Sequence, residues 1–268
     1  MTTSPTTAPA AATPAVEIRN VSMQYRSWTG PVTALSNVSL QLADGEFVAL
    51  LGRSGCGKST LLKMVAGLIK PTAGEVLVDD TPVTGPLTNA GMVFQSPVLL
   101  KWRTVLKNVL FPAEAFGQAR EYESEARRLL DLVGLSEFAH RYPLELSGGM
   151  AQRASLARAL LLDPRMLLMD EPFGALDALT RQEMNVELLR IWAERRKTIL
   201  FITHDIAEAV FMADRVIVLS PRPGRIEAEF EIDLPRPRTP EIIGDPRFAK
   251  LSIDIQHSLG LGLEAKAR

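Results

Sequence analysis

The residues best equipped for chemistry are a glycine-rich run with one lysine and two hydroxyls, Gly52-Arg53-Ser54-Gly55-Cys56-Gly57-Lys58-Ser59-Thr60. Glycines let a backbone wrap closely around phosphates and turn its N–H groups inward, and a helix that follows presents its positive end to the same charge. The spacing fits G-x-x-x-x-G-K-[ST], in which the lysine reaches the β- and γ-phosphates and the next hydroxyl ligates Mg²⁺. Lys58 and Ser59 hold those places, so ATP and Mg²⁺ are the expected ligands. A chance glycine turn before a helix is the bland alternative. The apolar run at 47–51 and the helical pattern from Lys58 supply the strand–loop–helix context that argues against it.

A second candidate is the run Met166-Leu167-Leu168-Met169-Asp170-Glu171. An apolar strand ending in two acids puts carboxylates at the strand's C-terminal edge, where α/β sheets bind ligands. Asp170 suits Mg²⁺, through water, and Glu171 suits the water that attacks a γ-phosphate. Alone, such a pair is as readily a loop start or a helix cap; the phosphate loop shifts the balance. The third candidate, Leu146-Ser147-Gly148-Gly149, reads on its own as a helix N-cap with a flexible lead-in.

Elements must hold these groups together, and the sequence predicts them as alternating α and β segments. Strands are expected at 16–25, 38–42, 47–51, 75–78, 90–94, 166–169, 198–203 and 215–219. Helices are expected at 58–69 (stopped by Pro71), 121–133 (with Gly134 at its C-terminal cap), 147–162 and 178–195. The run at 47–51 is short and continuously apolar, as in a strand buried on both faces. Residues 1–15 are Thr/Pro/Ala-rich and are predicted to be a disordered leader. With 46% hydrophobic and 23% charged residues, the composition is ordinary for a globular chain. The formal net charge of −1 gives no basic face for nucleic acid. The single cysteine, Cys56, excludes an internal disulfide framework and fits a reducing cytoplasm. Charged residues interrupt each apolar stretch before it could span a bilayer.

The order of these motifs resembles the ATPase subunit of an ABC transporter, from Val16 to about Phe230, and Leu-Ser-Gly-Gly between the phosphate loop and the acid pair is specific to that superfamily. Ala151 departs from it, since a basic or polar residue is usual there. The resemblance implies an α/β fold: a P-loop NTPase core with a mixed sheet flanked by helices, an N-terminal antiparallel β subdomain and an inserted helical subdomain at about 96–163. The ATPase domain would span 16–234 and a C-terminal extension 235–268.

It also implies roles that the residues alone do not reveal. Tyr25 would stack on adenine, Gln95 would meet Mg²⁺ and sense a membrane partner, and His204 would touch the γ-phosphate. Asp177, in Gly174-Ala175-Leu176-Asp177, would lie on the loop that crosses to a second subunit. Ser147, Gly148 and Gly149 would close on ATP held by that subunit's phosphate loop, in a head-to-tail homodimer. Cys56 is a small filler of a variable loop position. The implied partners are permease subunits and, indirectly, an external substrate-binding protein, with no nucleic acid, at the cytoplasmic face of the cell membrane. Residues 96–102, the run Ser220-Pro221-Arg222-Pro223-Gly224-Arg225 and Leu234-Pro235-Arg236-Pro237-Arg238 resemble the nitrate/sulfonate/taurine importer branch, with Lys101 where that branch usually has proline. Trp102 is expected in the groove that receives the permease. The competing reading is an ATPase or regulatory subunit of another ABC complex.

Overall fold

The apolar runs become the centre of a six-stranded sheet. The computed structural model describes residues 14–260 apart from Thr29. In chain order the elements are β1 (Val16–Tyr25), β2 (Val32–Leu42), β3 (Phe47–Gly52), α1 (Lys58–Val65), β4 (Ala73–Val78), β5 (Thr81–Pro82), β6 (Ala90–Val93), α2 (Val105–Val109), α3 (Phe111–Ala115), α4 (Glu123–Leu132) and α5 (Gly148–Leu160). They continue as β7 (Met166–Asp170), α6 (Ala178–Arg195), β8 (Thr198–Ile202), α7 (Ile206–Met212), β9 (Arg215–Leu219), β10 (Ile226–Glu231) and α8 (Pro246–Ser258). The larger sheet has the order β10-β9-β3-β8-β7-β6, parallel except for the antiparallel edge pair β10/β9. A smaller antiparallel sheet, β2-β1-β4-β5, lies beside it. Helices α2 to α5 fall between β6 and β7. This is the mixed-sheet P-loop core with a β subdomain and a helical insert.

Strand alternation divides the interior in two. Phe47, Ala49 and Leu51 of β3 share one apolar cluster with Leu167 and Met169, Ile199 and Phe201, and Val216 and Val218. Val48 and Leu50 share the other with Leu168, Leu200, Ile202 and Ile217. The first cluster takes in the helical insert and the second takes in α1 and the antiparallel sheet. Successive side chains of a strand point to opposite faces, so a strand covered on both sides must be apolar throughout. β3, β7 and β8 are buried at every position.

Several boundaries differ from the sequence expectation. β2 begins at Val32, six residues early, because it pairs with β1 out to Tyr25↔Val32 through repeated register shifts that scramble the alternation. Helix α1 ends at Val65 rather than Ile69, and Pro71 is not what stops it. Gly67 turns left-handed (φ +72), and a Cβ there would stand 1.9 Å from the Gly85 carbonyl oxygen. Of the expected disordered leader, residues 1–13 lie outside the described residues, but Ala15 is buried and its carbonyl accepts from Asp79 N at 3.1 Å. β10 and α8 were not legible in the sequence.

The segment after β10 is stitched to the core by two arginines. Arg236 lies 4.0 Å over the Trp192 ring and donates to Asp214 Oδ1 at 2.6 Å. Arg238 is buried and donates to five carbonyls, those of Val210, Phe211, Ala213, Ile232 and Leu234. Burial lowers its pKa to about 10, which still leaves the guanidinium charged at neutral pH. Helix α8 then buries Phe248 and Ile255 in the first cluster.

Candidate functional site

β3 delivers Gly52 to the edge of the sheet, where the chain turns sharply into α1. Gly57 caps that helix with φ +107, a conformation costly for other residues, and offers no side chain to the helix N-terminus. The first N–H groups of α1 are therefore left to an anion. A Cβ on Gly52 would come 2.7 Å from Cys56 Sγ, and one on Gly57 would come 2.5 Å from Leu35 Cδ2, so the tight cradle excludes larger residues at both places. Cys56 is buried beneath the loop, while Arg53 and Ser54 are exposed at its crest. Lys58 folds over the loop, donating to Gly52 O at 2.7 Å and Arg53 O at 3.3 Å.

The loop walls a cleft of about 310 Å³ together with Tyr25, Val32, Ala34, Gln95, Glu171 and Arg222. Ser54, Gly55, Gly57, Lys58, Ser59 and Thr60 supply its phosphate-loop side. Tyr25 is partly exposed, with its hydroxyl 3.2 Å from Thr60 Oγ1. Asp170, at the end of β7, is buried and hydrogen-bonded to the Ser59 hydroxyl. Burial pushes its carboxyl above the usual carboxylate range, and the Ser59 hydroxyl opposes that shift. A carboxylate and a hydroxyl side by side, with a Gln amide near, are the hard oxygen donors Mg²⁺ prefers, so the residues fit the ion.

Glu171 collects the remaining polar groups. It sits at φ +46, a left-handed conformation uncommon for a non-glycine residue, held there as its N–H donates to Ile202 O at 2.9 Å. Its Oε2 accepts from Gln95 Nε2 at 3.2 Å and lies 3.3 Å from His204 Nδ1. The sheet order β8-β7-β6 explains the meeting, because Gln95, Glu171 and His204 follow adjacent parallel strands and leave at the same edge. A carboxylate so held beside a phosphate cradle can orient a water toward a phosphoryl group.

The Ser-Gly-Gly motif stands apart. Ser147 caps α5 by accepting from Met150 N at 3.2 Å, and Gly148 is exposed with open space where a Cβ would go. Gly149 packs against Leu176, just before Asp177, which caps α6 by accepting from Thr180 N at 3.1 Å. The hydrogen bonds from Thr180 hold the Asp177 carboxyl below its usual range. None of Ser147, Gly148, Gly149 and Asp177 lines the cleft. Ala151, the departure from the usual pattern, is buried in α5.

Sequence reasoning missed Arg222. Its Nε donates to Gly55 O at 3.2 Å, and its side chain forms part of the cleft wall. Gly224, two residues on, is tied to β2 by Gly224 N to Ala34 O (2.9 Å) and Ser36 N to Gly224 O (3.0 Å). The run Ser-Pro-Arg-Pro-Gly-Arg was visible, but nothing in it says that it folds under the phosphate loop.

Strand, glycine loop and helix in this register, with paired acids ending a parallel strand one strand further along the same sheet, define a P-loop nucleotide hydrolase. The sequence pattern described as ABC transporter matches residues 35–174. The nitrate import ATP-binding protein of a Synechocystis species is 46% identical over 251 residues, covering 91% of this chain and 94% of that one. The taurine import ATP-binding protein of Yersinia pestis is 50% identical over 208 residues, covering 77% and 81%. A solved dimeric ATP-binding cassette in a post-hydrolysis state, bound to ADP and Pi, aligns with a TM-score of 0.74 at 34% identity over 82% of this chain and 99% of that one. The chain belongs to the ABC transporter family, as an ATP-binding and ATP-hydrolysing subunit.

Proposed function

We propose that this subunit powers an importer of small anions such as nitrate, sulfonates or taurine, bound to permease subunits at the cytoplasmic face of the membrane. The names of the import relatives support that branch. No helix among the described residues is long and apolar enough to cross a membrane, so attachment would come through a partner. Trp102 and Val98, on the segment after Gln95, are exposed apolar side chains suited to anchoring a permease helix. Substrate choice would then lie with the permease and its external binding protein.

In this reading the adenine stacks on Tyr25, and the N–H groups of the loop from Gly52 to Thr60 hold the phosphates. Lys58 leaves its carbonyl partners for the β- and γ-phosphates. Ser59, Asp170 and Gln95 hold Mg²⁺, which neutralises phosphate charge when bound. Glu171 accepts a hydrogen bond from the attacking water and orients it in line with the γ-phosphate, and His204 contacts that phosphate. A second copy closes head to tail, bringing Ser147, Gly148 and Gly149 to the nucleotide as a further helix N-terminus, with Asp177 at the shared interface.

The observation that carries this reading is the convergence of Gln95 and His204 on Glu171 Oε2 beside the phosphate-loop cleft. Substitution Glu171→Gln is expected to preserve ATP binding, abolish nearly all turnover and accumulate an ATP-bound dimer on size-exclusion chromatography. Near-normal phosphate release would remove Glu171 from that role. For the shared site, mixing the inactive Ser147→Arg and Lys58→Ala chains should restore one composite site; complete absence of recovered activity would argue against it.

A further inference from the structure

A buried polar cluster beneath His204 is not used by the mechanism above. Thr203, the last residue before His204, is buried, and its hydroxyl donates to Glu208 Oε2 on α7. The same oxygen, Thr203 Oγ1, accepts from Asp205 N at 3.1 Å, and Asp205 Oδ1 accepts from Glu208 N at 3.1 Å. The residues on both sides of His204 are thus linked through the Thr203 hydroxyl to one carboxyl. That carboxyl is buried, with no cation in direct contact among the described residues, and burial pushes it above the usual carboxylate range.

The cluster reaches the dimer loop. Asn185 of α6 lies against the Glu208 carboxyl, and Glu208 Oε1 and Asn185 Oδ1 are buried without another hydrogen-bond partner. The Asn185 side chain opposes the upward shift that burial gives the Glu208 carboxyl. One turn earlier on α6, Arg181 donates to Leu176 O at 3.0 Å and lies 3.8 Å from Asp205 Oδ2. Leu176 is the residue that packs on Gly149.

We propose that Glu208, acting through the Thr203 hydroxyl, is a positioning residue for His204, and that Asn185 and Arg181 tie that position to the loop carrying Leu176 and Asp177. The proposal rests on the reading of His204 as a γ-phosphate contact. A buried carboxyl is costly to keep in a core unless it holds something, and here it fixes the Thr203 hydroxyl, which in turn takes the Asp205 N–H on the far side of His204. Its removal frees the imidazole to leave Glu171 without touching the nucleotide cleft, which Glu208 does not line.

The test is steady-state ATP hydrolysis by the full chain, with KM and kcat separated and melting curves taken alongside. Glu208→Ala and Thr203→Val should each lower kcat about 10- to 100-fold with little change in KM for ATP, as expected for an interaction realised in the transition state. Glu208→Gln should retain most of the rate, since its amide can accept from Thr203 and donate to Asn185. The double variant His204→Ala/Glu208→Ala should be no slower than His204→Ala alone. Turnover near wild type in Glu208→Ala or in Thr203→Val overturns the proposal, and so does a double variant in which the two losses multiply. If His204→Ala itself turns over normally, the reading of His204 falls together with the proposal, whereas a slow His204→Ala beside a fast Glu208→Ala refutes the proposal alone.

Discussion

Gly224 offers a sharp test of how the phosphate loop is shaped, because the residue lies far along the chain from that loop and carries no chemistry of its own. A Cβ added there would stand 2.0 Å from the Cys56 carbonyl oxygen and 3.1 Å from Leu35 Cδ2. Carbon–oxygen contacts in proteins settle near about 3.3 Å, so Gly224→Ala is about 1.3 Å short of an ordinary contact. Gly224 cannot retreat easily, since its N–H and carbonyl are both bonded to β2. Most of the displacement therefore falls on Cys56, in the middle of the phosphate loop. Overpacking of this kind costs about 1–3 kcal/mol, a melting-temperature loss of about 2–12 °C in a chain of this size. The catalytic penalty is of similar size in free energy but shows as roughly 100-fold in rate, the cost of about a 1 Å misplacement at the site. We expect kcat/KM for ATP to fall about 100-fold with a weakened ATP dissociation constant, measured by phosphate release and nucleotide titration. Gly85→Ala, with open space at its Cβ position, is the matched control and should behave as wild type. If Gly224→Ala hydrolyses ATP within about fivefold of wild type, with unchanged affinity, the loop is not braced from below as argued.

Asp170→Asn should separate stability from function. A carboxyl raised by burial contributes stability that is present below its unfolded pKa and lost as pH rises through the folded value. The amide should therefore raise the melting temperature near pH 8, lose that advantage near about pH 4, and abolish Mg²⁺-dependent nucleotide binding. Arg238→Ala leaves five carbonyls without their shared donor and should cost about 3 kcal/mol, or on the order of 6–12 °C in melting temperature; an unchanged calorimetric melt would count against that anchoring role. Arg222→Gln keeps a donor near Gly55 O and removes the charge, so ATP affinity should fall several-fold with no change in melting temperature. Equal ATP affinity by titration would place Arg222 outside the binding site.

The phosphate loop, the acid pair and the Ser-Gly-Gly cap could be read from sequence because each is a contiguous segment whose residue types and spacing carry its chemistry. β3 was equally plain, since a strand buried on both faces has no polar position to confuse its pattern. β2 was read six residues short because its register shifts break the period of two. Gln95 and His204 carry no local signal, and only the resemblance to a family singled them out. What brings them to Glu171 is the parallel order of β6, β7 and β8, which joins residues 76 apart in sequence. Arg222, Gly224 and Arg238 fell in runs that marked only a family branch, and Glu208 in none; their roles were not legible because each acts on a group far away in sequence or on another element. Residue type and spacing determined which chemistry this chain can do. Tertiary structure alone decided which groups hold that chemistry in place, since long-range packing leaves no periodic trace in the sequence.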